Sequence, residues 1–168
     1  MSEKIRIIAK DIAESMCDFL LGVVTERSAE IQSSTNKSIS PCTMNLYFES
    51  AYFSIDFMVK RITANFSVDE KRLLIEELHK NLVTWIIETL FPAENNPANY
   101  QEKVRSIYYD TLNARNLAYS NPKNENRMIF REILFEEFRD AGVKKDKSYF
   151  DSLSSDIINS LDTLSVNY

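Results

Sequence analysis

From Val68 to Phe91 the chain repeats apolar residues every three or four positions, and at 100° per residue these collect on one side of a helix. Leu74, Ile75, Leu78, Leu82, Val83, Trp85, Ile86, Ile87 and Leu90 share a continuous arc of roughly 220°, with His79 inside it. Glu70, Glu77, Lys80, Asn81, Thr84 and Glu88 fill most of the remainder. An arc that wide predicts neighbours on more than one side, and so a central helix. Ser67 with Glu70 three residues later predicts a capping box at its start. Pro92 stops it, because proline cannot continue the hydrogen-bond ladder.

The same periodicity predicts five further helices. Residues 3 to about 31 carry Ile5, Ile8, Ile12, Met16, Phe19, Leu20 and Val23 at helical spacing. Gly22 within them is either a weak point, costing about 1 kcal/mol of propensity, or a place where another helix comes close. The serine-rich SSTNKSISP (33–41) reads as a loop. A second stripe over about 43–66 is made of Met44, Phe48, Ala51, Ile55, Met58, Val59, Ile62 and Phe66, flanked by further aromatics. The Val68 helix follows almost at once, so the two are expected to form an antiparallel hairpin.

A helix from Pro97 or Tyr100 to Tyr119 is expected to be capped by Asn96 or Asn99 and buried through Tyr100, Val104, Ile107, Tyr108, Leu112 and Ala118. After the polar turn SNPKNEN (120–126), another runs to about Ala141, buried through Ile129, Phe130, Ile133, Leu134 and Phe138. Gly142 then serves as its C′ residue. The last helix, opening near Ser148 and Asp151, has a thin seam: Phe150, Leu153, Ile157, Leu161 and Leu164. A seam that narrow suits one groove or one partner helix, and its serines make it weak without docking. The predicted architecture is an all-α, single-domain bundle of about six helices spanning 1–168 around the 68–91 helix.

Composition sharpens this picture. Two glycines and four prolines in 168 residues leave little material for tight turns, and no glycine-rich phosphate loop can be built. A net charge of −5 argues against nucleic acid as a partner, since phosphate contacts need a basic face. Two isolated cysteines, Cys17 and Cys42, support neither a disulfide framework nor a structural zinc site, which makes a reducing, cytoplasmic setting the default. The amino-terminal residues lack the uninterrupted apolar core of a secretion signal. The apolar run Met16–Val24 contains Asp18 and is too short to span a bilayer, so a soluble protein without membrane contact is expected.

Candidate chemistry is sparse. Glu76 and His79, at i and i+3, could approach one metal ion, but no second histidine exists to complete a carboxylate–histidine metal bundle. The wheel instead makes His79 a structural, inward residue, and no cofactor is expected. Haem ligation and a cysteine nucleophile at Cys17 or Cys42 would both need that same histidine, with no supporting pattern around it. Glu132 with Glu136, and Glu137 with Asp140, form acidic pairs that interspersed arginines turn into a solvated, salt-bridged face. The surplus of ten phenylalanines and eight tyrosines leaves one further option: Tyr47, Tyr52, Tyr100 and Tyr108, with Tyr109 and Tyr119, ringing a pocket for a small hydrophobic ligand.

The sequence therefore favours a non-enzymatic binding or interaction protein, acting by helix docking on a protein partner or on a second copy through Phe150, Leu153, Ile157, Leu161 and Leu164. A small-ligand sensor with a tyrosine pocket is the alternative, and a metalloprotein using Glu76 and His79 is the third reading.

Overall fold

The computed structural model describes residues 2–35, 41–121 and 125–168. Among them the chain forms six α-helices and no strand: α1 (Ser2–Thr35), α2 (Pro41–Ile62), α3 (Val68–Leu90), α4 (Tyr100–Ser120), α5 (Asn126–Asp140) and α6 (Lys147–Ser165), with a single 3₁₀ turn at Ala93–Asn95. The helices pack against one another in one domain, an all-α bundle as the periodicity predicts. Of the expected loop at 33–41, residues 36–40 lie outside the described residues, and α1 continues to Thr35. Within the expected turn at 120–126, residues 122–124 likewise lie outside them. Among the described residues no helix is long and apolar enough to cross a membrane.

The start and end signals of α3 act as read. Ser67 Oγ accepts from the Glu70 backbone N–H at 3.2 Å, and Glu70 Oε2 accepts from the Ser67 N–H at 2.8 Å, completing the capping box. The Phe91 N–H closes the last turn on the Ile87 carbonyl at 2.8 Å before Pro92. Leu74, Leu78, His79, Leu82, Val83, Ile86 and Ile87 are buried, and α3 packs on α1, α2 and α4, so its wide arc does meet several neighbours.

α2 is covered still more completely. Every residue from Leu46 to Ile55 is buried, and α2 touches all five other helices. A helix buried around its whole circumference is an interior element. The bundle thus has two inner helices, joined by the short 63–67 connection and packed as a hairpin.

The outer helices depart from the pattern in detail. The buried line of α1 runs through Ala9, Ala13 and Val24 together with Ile5, Ile12, Met16 and Leu20, because alanine lets α1 settle closely on its neighbours. Gly22 is exposed, and an added Cβ would meet nothing within 4 Å, so no helix approaches there. Asn99 does not cap α4 with its side chain, and Asn96 donates instead to the Pro92 carbonyl at 2.9 Å. α5 ends in a Schellman motif: Gly142, at φ +79°, donates to the Arg139 carbonyl at 3.0 Å and Val143 to that of Phe138 at 2.9 Å. α6 opens on Asp146, whose carboxylate accepts from the Tyr149 N–H at 3.2 Å.

Candidate functional site: a cleft between α2, α3 and α4

The buried residues of α4 are few: Val104, Tyr108 and Tyr119. Tyr100, expected inside, is 38% exposed, and Ile107 is exposed as well. With so narrow a contact line α4 leaves part of the α2–α3 groove open, and a cleft of about 300 Å³ remains. That volume lies at the small end of the range for ligand sites. Its walls come from helical repeats on three elements. α2 contributes Tyr52, Ile55, Asp56, Val59 and Lys60; α3 contributes Lys71, Ile75 and His79, four residues apart; α4 contributes Leu112, Asn116 and Tyr119. Ile55, Val59, Ile75 and Leu112 make an apolar middle, with Lys60 and Lys71 at one end and Tyr52 and His79 at the other.

His79 is 6% exposed, and its Nδ1 lies 2.7 Å from the hydroxyl of the fully buried Tyr108. Burial pushes its pKa down to about 4, so the imidazole is neutral near pH 7. Tyr52 donates its hydroxyl to the Tyr108 carbonyl at 2.7 Å, and burial raises both phenols above their ordinary range. Tyr52 meets both other rings in tilted contact, its centroid 4.9 Å from that of Tyr108, and His79 meets Tyr108 edge to face at 5.9 Å. At the other end Lys60 pairs with Asp56 at 2.9 Å and donates to the Tyr119 carbonyl at 3.1 Å, while Asn126 bonds the Asp56 carboxylate from α5.

Behind the Tyr119 wall lies an ionic cluster that the periodicity does not reveal. Glu49, with its side chain 1% exposed, accepts from Arg115 Nε at 2.5 Å and from the Tyr119 hydroxyl at 3.3 Å. The same guanidinium donates to Glu137 Oε1 at 3.0 Å, whereas Glu137 Oε2 is buried without a hydrogen-bond partner. One cation thus serves two carboxylates from α2 and α5. Burial, then the field of Glu49, pushes the Glu137 pKa up to about 7 against the opposing pull of Arg115. Glu49 is also raised by burial, again opposed by Arg115.

The other sequence-read positions are placed as follows. Of the four tyrosines proposed for a pocket, only Tyr52 lines the cleft. Tyr108 stands behind His79, Tyr100 packs on Phe91, and Tyr47 bonds Thr25 at 2.6 Å beside Trp85. Tyr119 joins Tyr52 in the wall. Glu76 is 66% exposed and pairs with Arg72, turned away from His79, so the two do not converge on one metal ion. Among the described residues no group of three or more metal-ligating side chains is assembled.

Phe150, Leu153, Ile157, Leu161 and Leu164 are buried against the α1, α2 and α5 side of the bundle, so the groove that this seam fills belongs to its own chain. The salt-bridged face is present at Glu132, which pairs with Lys147 at 2.9 Å and Arg131 at 3.1 Å, and at Asp140. Glu137 departs from that expectation by turning inward. Both thiols are free. Burial and neighbouring acids push Cys17 up to about 12, and burial raises Cys42 too, which keeps both protonated.

One signal in the sequence does mark the missed cluster. Glu49 is the only charged residue between Lys37 and Asp56, stranded in an apolar helix with no cation within a turn on either side. Such a carboxylate has to find its partner from another element. Comparison with protein-family models, with curated proteins and with solved structures returned no match for this chain.

Proposed function

We propose that this chain is a non-enzymatic binding protein that holds a small, largely apolar ligand in the cleft between α2, α3 and α4. The observation that carries this reading is the cleft itself: an apolar middle of Ile55, Val59, Ile75 and Leu112 with polar groups gathered at its two ends. A small-ligand sensor suits that arrangement better than helix docking, because the α6 seam is already occupied within the chain. A reducing compartment such as the cytoplasm suits two free, protonated thiols.

The test is a ligand-observed NMR screen of a metabolite and fragment library, repeated on Ile75→Trp and, independently, Leu112→Trp, each of which fills the apolar middle. Hits that bind the parent chain and are lost in variants of unchanged helicity support the proposal. No hits, or hits retained in both folded variants, would reject it.

A further inference from the structure

Two polar groups of this cleft, one at each end of α3's wall, are donors without an acceptor among the described residues. The buried Tyr108 hydroxyl has one hydrogen-bond partner among the described residues, Nδ1 of His79 at 2.7 Å. A buried phenol must donate its proton, so Nδ1 accepts it and the neutral ring carries its own proton on Nε2. No described residue bonds Nε2, and His79 lines the cleft, so an N–H donor faces its inner end.

At the outer end the Lys71 ammonium makes no hydrogen bond or ion pair among the described residues, whereas Lys60 is held by Asp56 and the Tyr119 carbonyl. Lys71 and His79 are two full turns apart on α3, about 12 Å along its axis. The apolar middle lies between them.

We infer that the ligand is an oxygenated medium-chain carboxylic acid, with its carboxylate at Lys71, its chain along Ile75 and Leu112, and a neutral hydroxyl or carbonyl oxygen accepting from His79 Nε2–H. The polarity has a physical reason. A carboxylate at the His79 end would be buried beside a neutral ring with the Glu49 carboxylate behind the neighbouring wall, whereas at Lys71 it stays at the solvent mouth beside an exposed ammonium, the nearby Asp56 carboxylate being held by Lys60 and Asn126. The Tyr52 hydroxyl is taken up by the Tyr108 carbonyl and the Tyr108 hydroxyl by His79 Nδ1, so an acceptor for Nε2–H is what remains to be supplied at the inner end.

This inference rests on the cleft-binding reading, and the experiment separates the two. The full chain is titrated with 8-hydroxyoctanoate, octanoate and 1,8-octanediol, following calorimetric affinity and the imidazole NMR signals, which are unambiguous because His79 is the only histidine. The hydroxy acid is expected to bind about tenfold more tightly than the diol, the scale of one charge-assisted hydrogen bond. Lys71→Gln, at an exposed position, should erase that advantage by weakening the hydroxy acid about tenfold more than the diol. The hydroxy acid should move the His79 imidazole signals more than octanoate does. Equal binding of diol and hydroxy acid, or a Lys71→Gln chain that still prefers the acid, overturns the inference. If all three probes fail while the library yields other ligands displaced by Ile75→Trp, the inference falls and the cleft reading stands. If the library fails as well, both fall.

Discussion

His79 and Glu137 titrate against each other. The folded imidazole, pushed down to about 4 from an ordinary 6.5, binds fewer protons than the unfolded one, so its contribution is present above pH 6.5 and is lost as pH falls towards 4. That loss is worth roughly 3 kcal/mol. Glu137, raised to about 7, runs the other way: its stabilising proton is held below its ordinary value near 4.5 and is lost as pH rises through 7. Glu49 leans in the same direction as Glu137. In the parent chain these trends oppose each other between pH 4 and 7, so each is exposed only when the other group is removed. Denaturant melts of Glu137→Gln should reveal a rise over that window, and melts of His79→Gln a fall; two parallel profiles would contradict the assignment.

Removing the shared cation is more severe. Arg115→Met leaves two inward carboxylates uncompensated and should cost about 3–5 kcal/mol, read from chemical denaturation. Gly22→Ala, in open space on a helix, should stabilise by about 0.5–1 kcal/mol. A loss of stability there would mean that α1 is contacted at Gly22 after all.

Among the elements, α6 docks through one apolar seam, flanked by ties from Arg27 to Asp156 at 3.1 Å, from Arg61 to Asp162 at 2.6 Å and from Arg127 to the Asp151 carbonyl at 3.1 Å. Ile157→Ala, at a fully buried position of that seam, is expected to cost about 2–4 kcal/mol without changing the sedimentation of the chain. A shift in oligomeric state with intact stability would return the seam to an intermolecular role.

At this scale the sequence was most legible where one rule decided the outcome. The Ser67–Glu70 box, the Pro92 stop and the Gly142 turn each follow from a local hydrogen-bond requirement, and all three are present. α4 was read less well, because Tyr100 and Ile107 fit the helical period as well as Tyr119 does. Which tyrosine turns inward is set by contacts with α2 and α3 that periodicity does not encode. The cleft was half legible for the same reason: the 52–55–56–59–60 and 71–75–79 repeats are visible, but the gap between them depends on how α4 lies across them. Glu137 looked solvated because its pairing partner sits 22 residues away, on another helix.

For the whole molecule, a ligand that binds only the folded bundle raises its stability by mass action. At a free concentration of one hundred times Kd the gain is about 2.7 kcal/mol, which for a chain of this length should lift Tm by roughly 5–10 °C. A thermal-shift series with 8-hydroxyoctanoate should show a rise that continues with the logarithm of concentration above Kd in the parent chain and none in Ile75→Trp.

The all-round burial of α2 also dictates an order of events during synthesis. Its coat is drawn from both sides of it in sequence, α1 before it and α3 to α6 after it, and the α6 residues that cover it begin only at Lys147. Until they emerge, a helix bearing Tyr47, Phe48, Tyr52 and Phe53 has an uncovered flank. A nascent chain that has not yet reached α6 is consequently adhesive along that flank, and the bundle closes around α2 only once α6 is available.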